Sequence, residues 1–97
     1  MHNELELKVA VLGAGAIANE HFDAIQATDG LCACAVADVQ WDRASEMAKQ
    51  HGVNAYLDYR EMIRIEQPDI AVIALPHFLH KESALFAAEH GCHLLLG

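Results

Sequence analysis

Short continuous apolar runs alternate along the chain with longer segments in which apolar residues recur at helical spacing. Apolar runs of about four to eight residues are typical of strands buried on both faces of a sheet. The predicted strands cover 8–12, 31–37, 54–57, 69–75 and 92–96, and the predicted helices cover 16–28, 42–51, 58–67 and 79–90. This alternation predicts an α/β domain with a parallel sheet and right-handed crossovers. We therefore expect a Rossmann-like, doubly wound sheet of five strands in the order 3-2-1-4-5, with about four helices.

Residues that begin or end helices stand at the borders of these segments. Asp42 and Asp58 open two helical segments, where a carboxylate can accept hydrogen bonds from free backbone N–H groups. Gly52 and Gly91 follow two helical segments, where the left-handed backbone of a helix end favours glycine. We expect Asp42 to cap the second helix and Asp58 to begin the third.

The composition and charge are those of a globular, soluble protein, with 54% hydrophobic and 21% charged residues. The first seven residues do not resemble a signal peptide, so we expect a cytoplasmic protein without a membrane partner. Six Lys and Arg residues against 14 Asp and Glu residues give a net charge of −8, which argues against a nucleic-acid partner. An anionic ligand would therefore depend on local backbone N–H groups at the start of a helix.

The segment 13–18 reads G-A-G-A-I-A and fits the pattern G-x-G-x-x-A between the first strand and the first helix. At this position Gly13 permits a tight turn, and Gly15 lets a pyrophosphate approach the backbone. Ala18 stands where a small side chain lets helix and strand pack closely. The alternative is an ordinary glycine-containing turn between a strand and a helix.

Asp38 ends the second predicted strand, where a carboxylate can accept hydrogen bonds from the hydroxyls of an adenosine ribose. The acid favours NAD over NADP, because a 2′-phosphate needs a cation and the nearest one is Arg43. The alternative is an acid that only caps a helix or faces solvent. Trp41 can cover the adenine or pack against the domain.

Seven histidines and three cysteines raise the question of a metal site. His77 and His80 are the best pair, but no third ligand follows at a suitable spacing, so we predict no metal. Both follow the fourth strand, at the edge where doubly wound sheets bind cofactors, and we expect them to line the nicotinamide-ribose side. A structural role for the two histidines stays open. We expect the cysteines to be buried or partly buried thiols.

Four segments together resemble the GFO/IDH/MocA oxidoreductases, which include glucose-fructose oxidoreductase and inositol 2-dehydrogenase. They are VAVLGAGAIANEH from residue 9, AVAD and DRA between 35 and 44, YLDY at 56–59, and PDIAVIALPHFLH at 68–80. The resemblance implies an NAD(P)-binding Rossmann domain over 1–97 and NAD(P)-dependent oxidation or reduction of a sugar, cyclitol or related hydroxyl compound. It also implies contacts to the cofactor from Gly13, Gly15, Ala16, Ile17, Asp38, Leu75, Pro76, His77 and His80.

The chain departs from the family pattern in two places. His77 stands where the T-P-N segment of the family has Asn. In the family the fifth strand leads into an E-K-P motif with a catalytic Lys and then into a substrate domain, whereas this sequence reaches Gly97 where the Glu is expected. We therefore expect a chain that binds dinucleotide without catalysis, from a parent protein that is an enzyme. We also expect homo-oligomers that form through the exposed edge of the sheet at 92–96.

Two other functions are compatible with parts of this pattern. A domain for S-adenosylmethionine or another adenosyl ligand also uses a glycine loop and an acid after the second strand, but the P-H-F-L-H segment at 76–80 argues against it. A non-catalytic nucleotide-sensing or interaction module would use the free sheet edge for pairing.

Overall fold

The computed structural model describes residues 6–96, in which strands and helices alternate as the apolar pattern predicts. The strands are β1 (Leu7–Leu12), β2 (Leu31–Ala37), β3 (Asn54–Tyr56), β4 (Ile70–Ile73) and β5 (His93–Leu96). The helices are α1 (Ala16–Gln26), α2 (Trp41–His51), α3 (Tyr59–Glu66) and α4 (His80–Glu89), with a 3₁₀ turn at His77–Leu79. No helix within residues 6–96 is long and apolar enough to cross a membrane.

All five strands are parallel and lie in the order β3-β2-β1-β4-β5, which confirms the predicted doubly wound sheet. Both faces of the sheet are covered. Phe22 of α1 and Met47 of α2 pack in a core on one face. Met62 of α3 and Ala87 of α4 pack in a core on the other face. Burial on both faces explains why the central strands read as continuous apolar runs.

A β-bulge in β2 determines which residue after β2 lies beside the loop that follows β1. The β1–β2 register steps from Val9 opposite Ala33 to Ala10 opposite Ala35, so that Cys34 is an extra residue in β2. Leu12 consequently lies opposite Ala37, and the next residue, Asp38, comes level with the loop after β1. Without the bulge, Asp38 would lie one residue further along that loop, level with Ala14 and not with Gly13.

The cysteines differ in exposure, and this corrects one expectation. Cys92 is buried and Cys34 is partly buried, but Cys32 is exposed near the start of β2, opposite the exposed Lys8. Leu7 and Lys8 of β1, which lie beside this end of β2, are exposed as well. Burial raises the pKa of the Cys34 thiol to about 12.

Two helix starts test the capping predictions, and one of the two predictions is wrong. The Asp58 carboxylate accepts a hydrogen bond from the backbone N–H of Arg60 at 2.9 Å, so that Asp58 is the N-cap of α3. Asp42 is not an N-cap, because α2 begins at Trp41 and Gln40 takes the N-cap position. The reason is that the N–H of Gln40 donates to the Asp38 carboxylate at 2.8 Å, which turns the chain into the helix earlier.

Several predicted element ends extend too far, while one helix stop is correct. The fourth strand ends at Ile73, α1 ends at Gln26, and the segment before His80 is a 3₁₀ turn. Gly52 ends α2 in the left-handed conformation, with φ of 68°, as predicted.

Candidate functional site

Three loops meet at the carboxyl edge of the sheet. They follow the neighbouring strands β2, β1 and β4. The crossover after β1 leads to β2 on one side of β1, whereas β4 lies on the other side of β1. The strand order therefore reverses its direction between β1 and β4. In open parallel sheets such a switch point forms a crevice where ligands bind.

Gly13 fits tightly between the neighbouring strands. Its N–H donates to the carbonyl of Ala37 at 2.8 Å, and its φ of 106° lies in the region that favours glycine. A Cβ at this position would lie 2.6 Å from the carbonyl oxygen of Ala74, which follows β4. The predicted tight-turn role of Gly13 therefore has a second cause, the close approach of the β4 backbone.

Gly15 lies in a different environment, at the N-cap of α1. Its φ of −75° is open to any residue, and a Cβ there would meet no atom within 4 Å. No side chain caps α1 and its first turn holds no acidic residue, so the N–H groups that begin the helix lack a side-chain acceptor. Ala16 and Ile17 of this turn are exposed. This open helix start fits the pyrophosphate of a dinucleotide, because its N–H groups and dipole favour an anion.

The Asp38 carboxylate lies against the glycine loop. One carboxylate oxygen accepts from the N–H of Ala14 at 2.9 Å, and the other accepts from the N–H of Gln40 at 2.8 Å. Each oxygen keeps a second acceptor position. The acid is partly exposed, so these positions are available to a ribose hydroxyl.

A cavity of about 250 Å³ lies between Asp38 and the loop after β4. Its lining combines one acidic and one basic side chain with apolar groups, as sites for a nucleoside base and ribose do. The lining includes Asp38, Val39, Arg43, Leu75, Pro76 and Phe78.

Two of these lining residues were not singled out from the sequence. Val39 and Phe78 are 85% and 83% exposed, although both are apolar. The signal that could have found them is an apolar residue in a loop directly after a buried strand. Trp41 is half exposed at the start of α2 and does not line this cavity.

The loop after β4 is held by a histidine side chain. The Nε2 atom of His80 lies 2.8 Å from the carbonyl oxygen of Leu75, and since a carbonyl only accepts, this nitrogen carries the proton. Leu75 is partly buried, whereas Pro76 and His77 are exposed. The rings of His77 and His80 lie 4.9 Å apart. No group of three or more His, Cys, Asp or Glu residues within 6–96 is arranged to hold a metal ion.

The sequence profile of the GFO/IDH/MocA family, described as an oxidoreductase family with an NAD-binding Rossmann fold, matches residues 7–97. A D-glucoside 3-dehydrogenase from Escherichia coli is 31% identical over 91 residues, which are 92% of this chain and 26% of that protein. A scyllo-inositol 2-dehydrogenase (NADP⁺) from Bacillus subtilis is 30% identical over 90 residues, which are 92% of this chain and 27% of that protein. The chain thus spans about a quarter of the length of these relatives.

Solved structures agree with the family match. A 3-ketoreductase from Actinomadura kijaniata, in complex with TDP-benzene and NADP, superposes with a TM-score of 0.87 at 27% identity. The superposition covers 94% of this chain and 29% of that one. An oxidoreductase from Agrobacterium radiobacter, in complex with NAD⁺, L-tartaric acid and magnesium, gives a TM-score of 0.87 at 26% identity, over 92% of this chain and 26% of that one. The chain therefore belongs to the GFO/IDH/MocA oxidoreductases, as an NAD-binding Rossmann domain of that family.

Proposed function

We propose that this chain binds NAD across the carboxyl edge of its sheet, with the pyrophosphate at Gly15 and the adenosine ribose at Asp38. The observation that carries the proposal is the Asp38 carboxylate, which is hydrogen-bonded to the glycine loop beside an α1 start that no side chain caps. The carboxylate and the free helix start supply the two polar contacts that an adenine dinucleotide needs there.

The other predicted site residues receive roles that follow from their positions in the crevice. Ala16 and Ile17 offer the first backbone N–H groups of α1 to the pyrophosphate. Leu75 and Pro76 form the apolar wall opposite Asp38, where the adenine packs. The remaining two residues, His77 and His80, lie on the nicotinamide-ribose side: His80 holds the loop through the Leu75 carbonyl, and His77 presents an exposed ring.

We propose that the parent protein is an NAD(P)-dependent dehydrogenase that acts on a sugar, cyclitol or related hydroxyl compound. The support is the family membership and the printed activities of the relatives, a glucoside dehydrogenase and an inositol dehydrogenase. Bound nicotinamide supplies a hydride acceptor or donor at C4 of its ring. The residues of this chain bind and orient the dinucleotide and exclude water from its adenosine end. Since none of residues 6–96 is assigned a role in proton transfer, we expect the isolated chain to bind without turnover.

A titration of the full chain with NADH, followed by calorimetry or nucleotide fluorescence, tests the binding proposal. We expect saturable binding with a Kd in the micromolar to millimolar range, about −8 to −4 kcal/mol. Absence of saturable binding by a folded chain at millimolar NADH would contradict it. Competition with S-adenosylmethionine tests the alternative adenosyl ligand, because a chain built for that ligand would release NADH at a comparable concentration of it.

A second element of the proposal is self-association through β5. This strand lies at the edge of the sheet, and Leu94, Leu95 and Leu96 are 40%, 56% and 64% exposed. An edge strand with exposed apolar side chains pairs readily with another chain. Sedimentation of the chain over a range of concentrations should detect dimers or larger species, and Leu95→Lys should shift the population toward monomer. A monomer at high concentration would exclude this element.

The proposed location is the cytoplasm, without nucleic-acid or membrane partners. The net charge of −8 repels nucleic acid. The alternative function of a non-catalytic nucleotide-sensing module has its own test. It would be supported by a change in oligomeric state on adding NADH, without hydride transfer by the parent protein.

A further inference from the structure

The cavity beside Asp38 adjoins a second cavity of about 290 Å³. Three residues with apolar side chains, Val39, Leu75 and Leu79, line both cavities. The second cavity extends to the starts of α3 and α4, where the half-exposed Leu57 adds apolar surface. The two cavities are therefore neighbouring parts of one cleft over the carboxyl edge of the sheet.

An ion pair between two helix starts lines the second cavity. Arg60 lies in the first turn of α3 and Glu82 in the first turn of α4, and both contribute to the lining. The guanidinium of Arg60 donates a hydrogen bond to the Glu82 carboxylate at 2.5 Å. The ion pair of Arg60 with Asp58 is longer, at 3.6 Å, so Glu82 is the partner that fixes the guanidinium. Because the side chains of Arg60 and Glu82 are 40% and 61% exposed, both keep hydrogen-bonding positions for a ligand.

This pair offers a donor and an acceptor side by side. A guanidinium only donates hydrogen bonds, and a carboxylate only accepts them. Adenine presents the complementary groups on the edge far from its sugar, a 6-amino group that donates and an N1 atom that accepts. Hypoxanthine and guanine present the reverse, a 6-oxo group that accepts and an N1–H that donates. The pair can therefore distinguish adenine from the 6-oxo purines.

We propose that Arg60 and Glu82 select the base of the bound dinucleotide, with Glu82 accepting from the 6-amino group of adenine and Arg60 donating to N1. The base would pack between Val39 and Leu75 with its ribose at Asp38, so that its amino edge reaches the second cavity. This inference rests on the proposed dinucleotide function and adds the selection of the base. Neither residue belongs to the site predicted from the sequence, because an ion pair between two helix starts leaves no pattern along the chain.

The test compares ligands that differ only at position 6 and N1 of the base. They are 5′-AMP against 5′-IMP, and NAD against nicotinamide hypoxanthine dinucleotide, each titrated into the full chain by calorimetry. For the unchanged chain we expect the adenine ligand of each pair to bind about fivefold to tenfold more tightly. The preference is no larger because both side chains are partly open to water, which weakens their contacts to the base.

Substitutions in the pair should remove this preference without abolishing binding. Glu82→Gln should reduce it to about twofold or less, since an amide can either accept from the 6-amino group or donate to the 6-oxo group. Arg60→Ala should do the same, and any loss of general attraction for the phosphates should affect both ligands equally. Since the two side chains act as one unit, the double variant should lose no more preference than either single variant. The matched controls Glu89→Gln in α4 and Arg64→Ala in α3 remove the same charges from exposed positions outside the cavity and should keep the preference.

The outcomes separate this inference from the proposed function. Equal binding of 5′-AMP and 5′-IMP by an unchanged chain that still binds NAD would overturn the inference alone. An undiminished preference in Glu82→Gln or in Arg60→Ala would also overturn it, because another group would then recognise the base. If the folded chain bound neither NAD nor its hypoxanthine analogue, the proposed function itself would be refuted.

Discussion

The loops after β1 and β4 face each other across the crevice, but different parts of the chain hold them in place. The loop after β1 is fixed by its backbone, since the N–H groups of Gly13 and Ala14 both donate to β2 or the residue that follows it. The loop after β4 is fixed by a side chain, through the hydrogen bond from His80 to the Leu75 carbonyl. A loop fixed by its backbone allows little change in residue type at the positions of close approach, whereas a loop fixed by a side chain can vary at its exposed positions.

The same contrast exists within the glycine loop. Gly13 is required by the fold, because a Cβ there would collide with the carbonyl of Ala74. Gly15 is not required by the fold, because its conformation is ordinary and the space around it is open. One motif therefore contains a glycine that serves packing and a glycine that leaves room for a ligand.

The largest effect should come from Gly13→Ala. The collision with Ala74 cannot be relieved without moving β1 away from β4, and the positive φ adds strain, so we expect a loss of more than about 3 kcal/mol in the free energy of unfolding. Urea denaturation measures the loss. The matched control is Gly30→Ala, which has a φ of 88° but open space around it and should lose only about 1–2 kcal/mol. Equal losses in the two variants would show that the close approach to β4 does not matter.

The second effect, Gly15→Ala, should separate binding from folding. The free energy of unfolding should change by no more than about 1 kcal/mol, because only the choice of N-cap residue differs. The Kd for NADH should rise about tenfold or more, because the new methyl group fills the space through which the pyrophosphate reaches the helix start. If the folded variant bound NADH as tightly as the unchanged chain, the pyrophosphate would have to lie elsewhere.

The third effect concerns the link between β2 and the glycine loop. Asp38→Asn keeps the shape of the side chain, but its amide nitrogen cannot accept an N–H, so one of the two hydrogen bonds is lost, at about 1 kcal/mol. The Kd for NADH should rise about fivefold to tenfold, because the ribose loses a charged acceptor. The matched control is Asp58→Asn, whose carboxylate also accepts a backbone N–H at a helix start. In the control the amide oxygen of Asn still accepts the single N–H of Arg60, so its stability should change by no more than about 0.5 kcal/mol and its NADH binding should be unchanged. A similar loss of affinity in both variants would contradict the role of Asp38.

Much of this architecture could be predicted from the sequence because the parallel sheet leaves a simple pattern. Strands buried on both faces are continuously apolar, so their number and parallel direction followed from the alternation with helices. Their order followed from the assignment to a Rossmann-like sheet. The bulge at Cys34 could not be predicted, because one extra residue inside an apolar run leaves the pattern of β2 unchanged. Yet that bulge decides that Asp38 is level with Gly13 and not with Ala14. The N-cap of α2 was also missed, since it depends on where the Asp38 side chain folds back.

The candidate site also contains both residues that could be predicted from the sequence and residues that could not. Gly13 could be predicted because a tight turn after a strand favours a residue that tolerates a positive φ, and Asp38 because it is the polar residue that directly follows a continuous apolar run. The cavity walls formed by Val39 and Phe78 could not, because an exposed apolar residue in a loop has no periodic signal.

The smallest effects should come from the two histidines of that second loop, and they should differ from each other. His80→Ala removes the hydrogen bond to the Leu75 carbonyl, so we expect a loss of about 1 kcal/mol in stability and a rise of about threefold in the Kd for NADH as the loop loosens. His77→Asn changes an exposed ring, so we expect a stability change within about 0.5 kcal/mol and nearly unchanged binding. Denaturation and NADH titration of both variants measure the difference. A larger effect on NADH binding at His77 than at His80 would mean that the exposed ring contacts the dinucleotide directly. The contribution of the loop after β4 to binding would then come from that contact more than from the hydrogen bond between His80 and Leu75.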